Sequence, residues 1–276
     1  MTDKGDWQGK VGDNWASEWQ RTDRSFGALN DKLVTTAATL APEASNVLDI
    51  GCGAGATSLA LCAALPNAHI LGIDLSQALI KTASKRAAGK PSCTFAVSDA
   101  SIWSNPLSAP DLLVSRHGVM FFDDPTAAFS NLAHSAAPGA NLLFSCFRAR
   151  AENDWATKIA GILPNPLPEP GDGPGPFAFA NPERVRHILA ASGWQDAAAE
   201  PFDFSYIAGG GDDPVADAVD FFTRIGPAAP VIRALEGDAK AACLARLRAV
   251  ALAQLADGTA RFRAAVWIWT AKRGHS

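Results

Sequence analysis

Val47-Leu48-Asp49-Ile50-Gly51-Cys52-Gly53-Ala54-Gly55-Ala56 decides the fold of this chain. Four residues of strand character run into three glycines at alternate positions, and a helical pattern follows directly. Glycine tolerates the backbone angles of a tight turn and lets a ligand approach the main chain. A second apolar run, His69-Ile70-Leu71-Gly72-Ile73, ends on an acid, Asp74. A strand, a glycine turn, a helix N-terminus and an acid able to hold a ribose together describe a nucleotide pocket.

Apolar runs and helical segments alternate from this turn onward. Strands are expected at Val47–Ile50, His69–Ile73, Thr94–Val97, Leu112–Ser115 and Asn141–Phe147, with helices near Ala56–Leu65, Ser76–Ala88 and Pro125–Ala137. Asp124-Pro125 is a helix start and Pro138-Gly139 a stop. Alternating strands and helices imply an α/β fold, a Rossmann-like doubly wound parallel sheet covered on both faces. Further on, a strand near Phe202–Ile207, helices at Pro214–Arg224 and Asp238–Ala256, and a last strand at Arg261–Lys272 are expected. The two late strands pair most simply with each other at the sheet edge. Residues 1–45 carry Trp15, Trp19, Phe26, Leu29 and Leu33 near helical spacing, which predicts one or two helices as an N-terminal cap ahead of a core over residues 46–276. Leu163 to Phe177 holds six prolines and cannot be regular, so it is a surface loop or a lid. Residues 150–180 and 208–258 are the expected lid or substrate elements.

Composition narrows the function classes. The 276 residues are 48% hydrophobic and 19% charged, as in a globular enzyme. A formal charge of −4 without a basic run argues against nucleic acid as a partner. Met1 to Val11 are polar, no signal peptide is expected, and no apolar run reaches the ~18 residues a membrane span needs. The five cysteines form no C-x-x-C pair and are expected as reduced, buried residues of a cytoplasmic protein that binds no metal.

The glycines alone leave the nucleotide open, because Gly51, Gly53 and Ala56 satisfy the loose dinucleotide fingerprint. A carboxylate at Asp49, two residues before the first glycine, would face a diphosphate at short range. S-adenosylmethionine reverses the sign, since it brings an ammonium and a sulfonium. Asp49 suits that ligand, and it could also simply cap the turn.

With these residues in place the chain resembles the class I S-adenosylmethionine-dependent methyltransferases. Asp49-Ile50-Gly51-Cys52-Gly53-Ala54-Gly55 looks like that family's first motif, D-x-G-x-G-x-G. Gly72-Ile73-Asp74-Leu75-Ser76 looks like the second, and the resemblance implies that Asp74 holds the ribose hydroxyls while Leu75 packs on the adenine. Ser98-Asp99-Ala100 resembles the third, which implies Asp99 near the adenine amino group, flanked by Ile102 or Trp103. Ser115-Arg116-His117-Gly118-Val119-Met120 stands where the family's fourth strand opens onto the methyl group, so Ser115 is expected on the cofactor and Met120 on the substrate. The wording of this stretch is most similar to the branch around the ubiquinone and menaquinone C-methyltransferases. The family fold further implies seven strands with an antiparallel last one.

The candidates for chemistry follow. His117 is the first candidate for a general base, with Arg116 beside it, because a histidine can accept a proton near neutral pH. His69, His134, His187 and His275 have no orienting partner nearby in sequence. Arg21 and Arg24 could grip an acidic group while Trp15 or Trp19 lines an apolar wall, or the arginines could form a solvated helix face. Tyr206, the only tyrosine, is a further substrate candidate. The expected reaction is transfer of the methyl of S-adenosylmethionine, leaving S-adenosylhomocysteine, to oxygen or carbon of a small, largely apolar molecule. A protein side-chain methyltransferase, a decarboxylase or regulatory binder on the same fold, and an NAD-dependent oxidoreductase are the rivals. Oligomeric state is not encoded in any pattern here.

Overall fold

The computed structural model describes residues 4–105 and 108–274, so His275 lies outside the described residues. Four helices come first: α1 (Lys4–Gln8), α2 (Lys10–Ser17), α3 (Trp19–Ser25) and α4 (Gly27–Leu40). The alternating region follows as β1 (Asn46–Ile50), α5 (Ala56–Ala64), β2 (His69–Asp74), α6 (Gln77–Arg86), β3 (Cys93–Val97), β4 (Leu112–Arg116), α7 (Pro125–Ser135) and β5 (Asn141–Phe147). Then come α8 (Asp154–Ala160), α9 (Pro182–Ala191), β6 (Trp194–Gly209), α10 (Pro214–Arg224), α11 (Ala229–Ala234), α12 (Gly237–Ala253), β7 (Leu255–Ala256) and β8 (Thr259–Arg273).

The strands form one sheet in the order β3-β2-β1-β4-β5-β8-β6, with the two-residue β7 paired to β8. The first five are mutually parallel, while β8 runs antiparallel to both β5 and β6. That is the doubly wound sheet with antiparallel late strands expected from sequence. The order reverses between β1 and β4, and open α/β sheets bind ligands at such a switch point, beyond the carboxyl ends of the strands.

The capping residues behave as their chemistry dictates. Asp124 Oδ1 accepts from Ala127 N at 2.9 Å and Asn181 Oδ1 from Glu183 N at 3.0 Å, with proline at the start of each helix. β6 is far longer than Phe202–Ile207. Its first half, Gln195 to Pro201, is mostly exposed, so no apolar alternation marks it, yet it pairs with β8 through a register shift between Gln195 and Ala198. The N-terminal segment makes four helices rather than one or two. The stretch over residues 163–177 has no regular structure, and its end is tied down by Gly175 N donating to Met120 O at 3.1 Å. Among the described residues no helix is long and apolar enough to cross a membrane.

Candidate active site

The glycine turn sits at the switch point with Gly51, Gly53 and Gly55 at φ 64°, 55° and 83°. These are left-handed values that side chains resist. Gly55 caps α5, whose N-terminus therefore faces the turn. Cys52 N donates to Ile73 O at 3.0 Å and locks the turn to β2. Asp74, at the end of β2, accepts from Gly53 N and from Ser76 N, both at 2.9 Å. Burial outweighs these donors and raises its pKa.

Asp49 lies behind the turn, 1% exposed, with Oδ2 accepting from Ser58 Oγ at 2.5 Å. Its other oxygen is buried without a partner. Burial lifts its pKa to about 6, against the Ser58 hydrogen bond and the charge of Arg116. Asp99 accepts from Lys4 Nζ at 2.8 Å, from Ser101 N at 2.9 Å and from Ser101 Oγ at 2.6 Å. Burial would raise its pKa, but Lys4 and Ser101 prevail and lower it.

One cavity joins Asp74, Asp99 and the glycine turn. It runs from Asp99, Ala100 and Leu75 past Asp74 and the turn at Gly51, Cys52 and Gly53, then on to the ends of β4 and β5. Arg116, His117, Met120 and Trp15 also line it, as the sequence leads one to expect. Several expected residues do not, the buried Asp49 behind the turn among them. Ser115 is fully buried, its hydroxyl donating to Ile50 O at 2.7 Å and accepting from Gly118 N at 3.1 Å, so it ties β4 to β1 rather than meeting a ligand. Gly55 stays beneath the turn against Phe95 and Ala83. Trp19 lies under the Arg86 guanidinium at 4.0 Å. Arg21 pairs with Glu18, Asp217 and Asp220, each at 2.7 Å, and Arg24 with Asp217 at 2.6 Å. The two arginines clamp α3 to α10, which corrects their assignment to the substrate.

The cavity's far end is aromatic, and here the structure adds Phe26, Phe147 and Trp155 to the expected Tyr206. Phe147 ends β5, so the rule that ligands gather at strand carboxyl ends could have found it. Trp155 sits on α8 and Phe26 at the junction of α3 and α4, where an aromatic residue reads as core. His117 is 8% exposed at φ 66° and stacks on Phe147 with ring centroids 4.2 Å apart. Burial, with the neighbouring Arg116 charge, pushes its pKa down to about 3. That environment opposes the base role suggested by sequence. Arg116 has only a 3.4 Å hydrogen bond to Asn30 Oδ1 and the Phe26 ring 5.5 Å away, and no acid lies within 4.0 Å among the described residues. Burial lowers its pKa, opposed by Asp23 and Asp49.

Residues 47–139 match the protein family described as a methyltransferase domain. This part of the chain is a methyltransferase domain, in keeping with the resemblance read from its motifs. The trans-aconitate 2-methyltransferase of Variovorax paradoxus is 29% identical to this chain over 152 residues, covering 55% of this chain and 54% of that one. The malonyl-[acyl-carrier protein] O-methyltransferase 1 of Ilyobacter polytropus is 31% identical over 102 residues, 37% of this chain and 38% of the relative. The chain thus spans about half the length, or less, of these curated relatives. In fold, this chain is similar to a solved phosphoethanolamine N-methyltransferase 2 of Haemonchus contortus in complex with S-adenosyl-L-methionine. That likeness has a TM-score of 0.56 at 16% identity and covers 94% of this chain and 57% of the other. These matches reach the family, not the ubiquinone branch within it.

Proposed function

We propose that this methyltransferase moves the methyl group of S-adenosylmethionine to an oxygen or carbon nucleophile of a small, largely apolar molecule. The observation that carries the reading is the single cavity that joins the Asp74 and glycine-turn end to an aromatic end beyond β4 and β5. Two groups around it lack partners and suit an amino-acid head. Arg116 lines the cavity, is in no ion pair among the described residues and complements a carboxylate, while the buried, unpartnered oxygen of Asp49, behind the turn and outside the lining, supplies the negative charge that favours an ammonium there. Asp74 and Asp99 would hold the ribose and the adenine amino group, with Leu75 and Ala100 beside the ring. When bound, the cofactor supplies a methyl group on a sulfonium, ready for in-line displacement.

The chain's own part is alignment and exclusion of water. Trp7, Trp15 and Phe121 pack together, with Trp7 rings 5.7 Å from Trp15 and 5.1 Å from Phe121, so α1 and α2 cover the opening. The relatives named for trans-aconitate and malonyl groups support a small acid-bearing acceptor or a carrier-held acyl chain. An enclosed aromatic end suits such a molecule better than a folded protein's side chain.

Calorimetry with S-adenosylmethionine, S-adenosylhomocysteine and NAD on the wild type and Asp74→Ala tests the reading. Both adenosyl ligands are expected to bind, and Asp74→Ala to weaken them about tenfold or more, as loss of a charged hydrogen-bond partner does. Binding of NAD and of neither adenosyl ligand would overturn it.

A further inference from the structure

The rings at the far end of the cavity wall a slot there as one contiguous surface. His117 stacks on Phe147, 16° from parallel. Phe147 in turn lies 4.9 Å from Trp155, which stacks on Tyr206 at 5.7 Å and 25°. Phe26 stands nearly edge-on to both, 5.3 Å from His117 and 5.3 Å from Tyr206. All five line the cavity. Inside this slot one polar atom has no partner: His117 Nε2 is buried and makes no hydrogen bond. The other ring nitrogen, Nδ1, lies 3.5 Å from Ser145 Oγ, a hydroxyl that can accept a ring proton. In the tautomer that donates from Nδ1 to this hydroxyl, Nε2 presents its lone pair to the cavity.

A buried acceptor without a donor is costly, and so is a left-handed φ on a histidine. At His117 both occur in one residue that lines the cavity, which marks the position as functional. We infer that His117 Nε2 accepts a hydrogen bond from an O–H or N–H of the methyl acceptor, and that the part of the acceptor entering the ring slot is flat and uncharged, any acidic group lying outside it. His117 is then a specificity-determining residue that reads the acceptor's donor in neutral form. The charged and titratable groups around it agree. Arg116 on its own strand end repels a cation, Tyr206 on β6 is held un-ionised by burial, and the Asp23 and Asp49 carboxylates act on Arg116 at the glycine-turn end. The inference rests on the methyltransferase reading and adds the substrate class.

The test uses a matched pair of probes, 2-naphthol and 2-methoxynaphthalene, which differ in having or lacking the O–H donor. Their affinities are measured by calorimetry on the full chain with S-adenosylhomocysteine present, for the wild type, His117→Gln and His117→Phe. Both variants keep a Cβ at the same left-handed position, so backbone strain is common to them. The wild type is expected to prefer 2-naphthol by about tenfold. His117→Gln keeps most of that preference, and His117→Phe reduces it to under about threefold. The preference is the same at pH 5 and pH 8, whereas a histidine that titrates near 6.5 would lose its acceptor at pH 5. Equal affinity for the two probes, no binding of 2-naphthol, an undiminished preference in His117→Phe, or its loss at pH 5 would each overturn the inference. Failure of S-adenosylhomocysteine itself to bind would instead remove the methyltransferase reading on which it stands.

Discussion

Lys4 Nζ lies 2.8 Å from Oδ2 of Asp99, so the first helix places a cation on the carboxylate assigned to the adenine. The same ammonium is 3.1 Å from Ser101 Oγ and 3.8 Å from Asp123. An adenine amino group that donates to Asp99 competes with Lys4. A partly exposed pair of this kind is worth at most about 1 kcal/mol, or a factor of about five. Lys4→Met is therefore expected to tighten S-adenosylhomocysteine by up to about fivefold. Added salt should tighten the wild type and leave the variant unchanged, because salt weakens the competing pair. A loss of affinity in Lys4→Met would mean that Lys4 touches the ligand.

Asp49 is held at a cost. Its folded pKa of about 6 lies above the ordinary 3.8 of an unfolded chain, with burial as the first cause. Between those values the folded state keeps a proton that the unfolded state has lost, so falling pH favours folding through this group. Above about pH 6 the buried carboxylate is charged and its full cost, about 3 kcal/mol, is present. Asp49→Asn preserves an acceptor for Ser58 and removes the charge. Urea denaturation should show the variant more stable by up to about 3 kcal/mol at pH 8, and little different at pH 4. Its affinity for S-adenosylmethionine should fall, since the ammonium loses its counter-charge. A variant less stable than wild type at pH 8 would refute the account.

Arg21 joins α3 to α10 by donating to Glu18, Asp217 and Asp220. Burial works against its charge, but these partners prevail and raise its pKa. Glu18 is only 5% exposed and keeps Arg224 at 3.0 Å as its other partner. Arg21→Ala leaves three carboxylates together and should cost about 2 kcal/mol, lowering Tm by about 4–8 °C. Affinity for S-adenosylhomocysteine in the folded fraction should stay within about twofold, as Arg21 does not line the cavity. An unchanged Tm with lost binding would restore a ligand role.

The sheet was legible because its signals are local. Val47–Ile50 and Leu112–Ser115 are apolar runs, Asp124-Pro125 is a start, and Gly51 to Gly55 need a turn. What lay beyond reach depends on partners distant in the chain. Arg21 and Arg24 fall on a helix face that spacing identifies as exposed or gripping a ligand, while the acid that decides between these, Asp217, sits 196 positions from Arg21. Ser115 adjoins true lining residues, and only the pairing of β4 with β1 shows its hydroxyl held by Ile50. His117 was found by its position after β4, but its chemistry follows from Phe147 on β5 and Phe26 ahead of α4, which bury it. Gly118 carried no motif signal at all.

Gly118 is nonetheless where two turns meet. A Cβ there would lie 2.6 Å from Ile50 O, 2.9 Å from Ser115 Oγ and 3.0 Å from Gly51 Cα. Its own backbone is ordinary, at φ −74° and ψ −45°, so space alone forbids a side chain. Gly53 is the reverse case: it holds φ 55°, and a Cβ there would meet nothing within 4 Å, standing in the open cavity. Gly118→Ala should therefore act mainly on the fold, costing about 2–3 kcal/mol by overpacking. Gly53→Ala should cost only the left-handed strain, about 1 kcal/mol, and act mainly on the ligand, weakening S-adenosylhomocysteine by about tenfold or more. Urea denaturation and calorimetry on the two variants separate these effects. If Gly53→Ala binds as tightly as wild type, the ligand does not pass over the turn, and the placement of the cofactor along Gly51 to Gly53 is wrong.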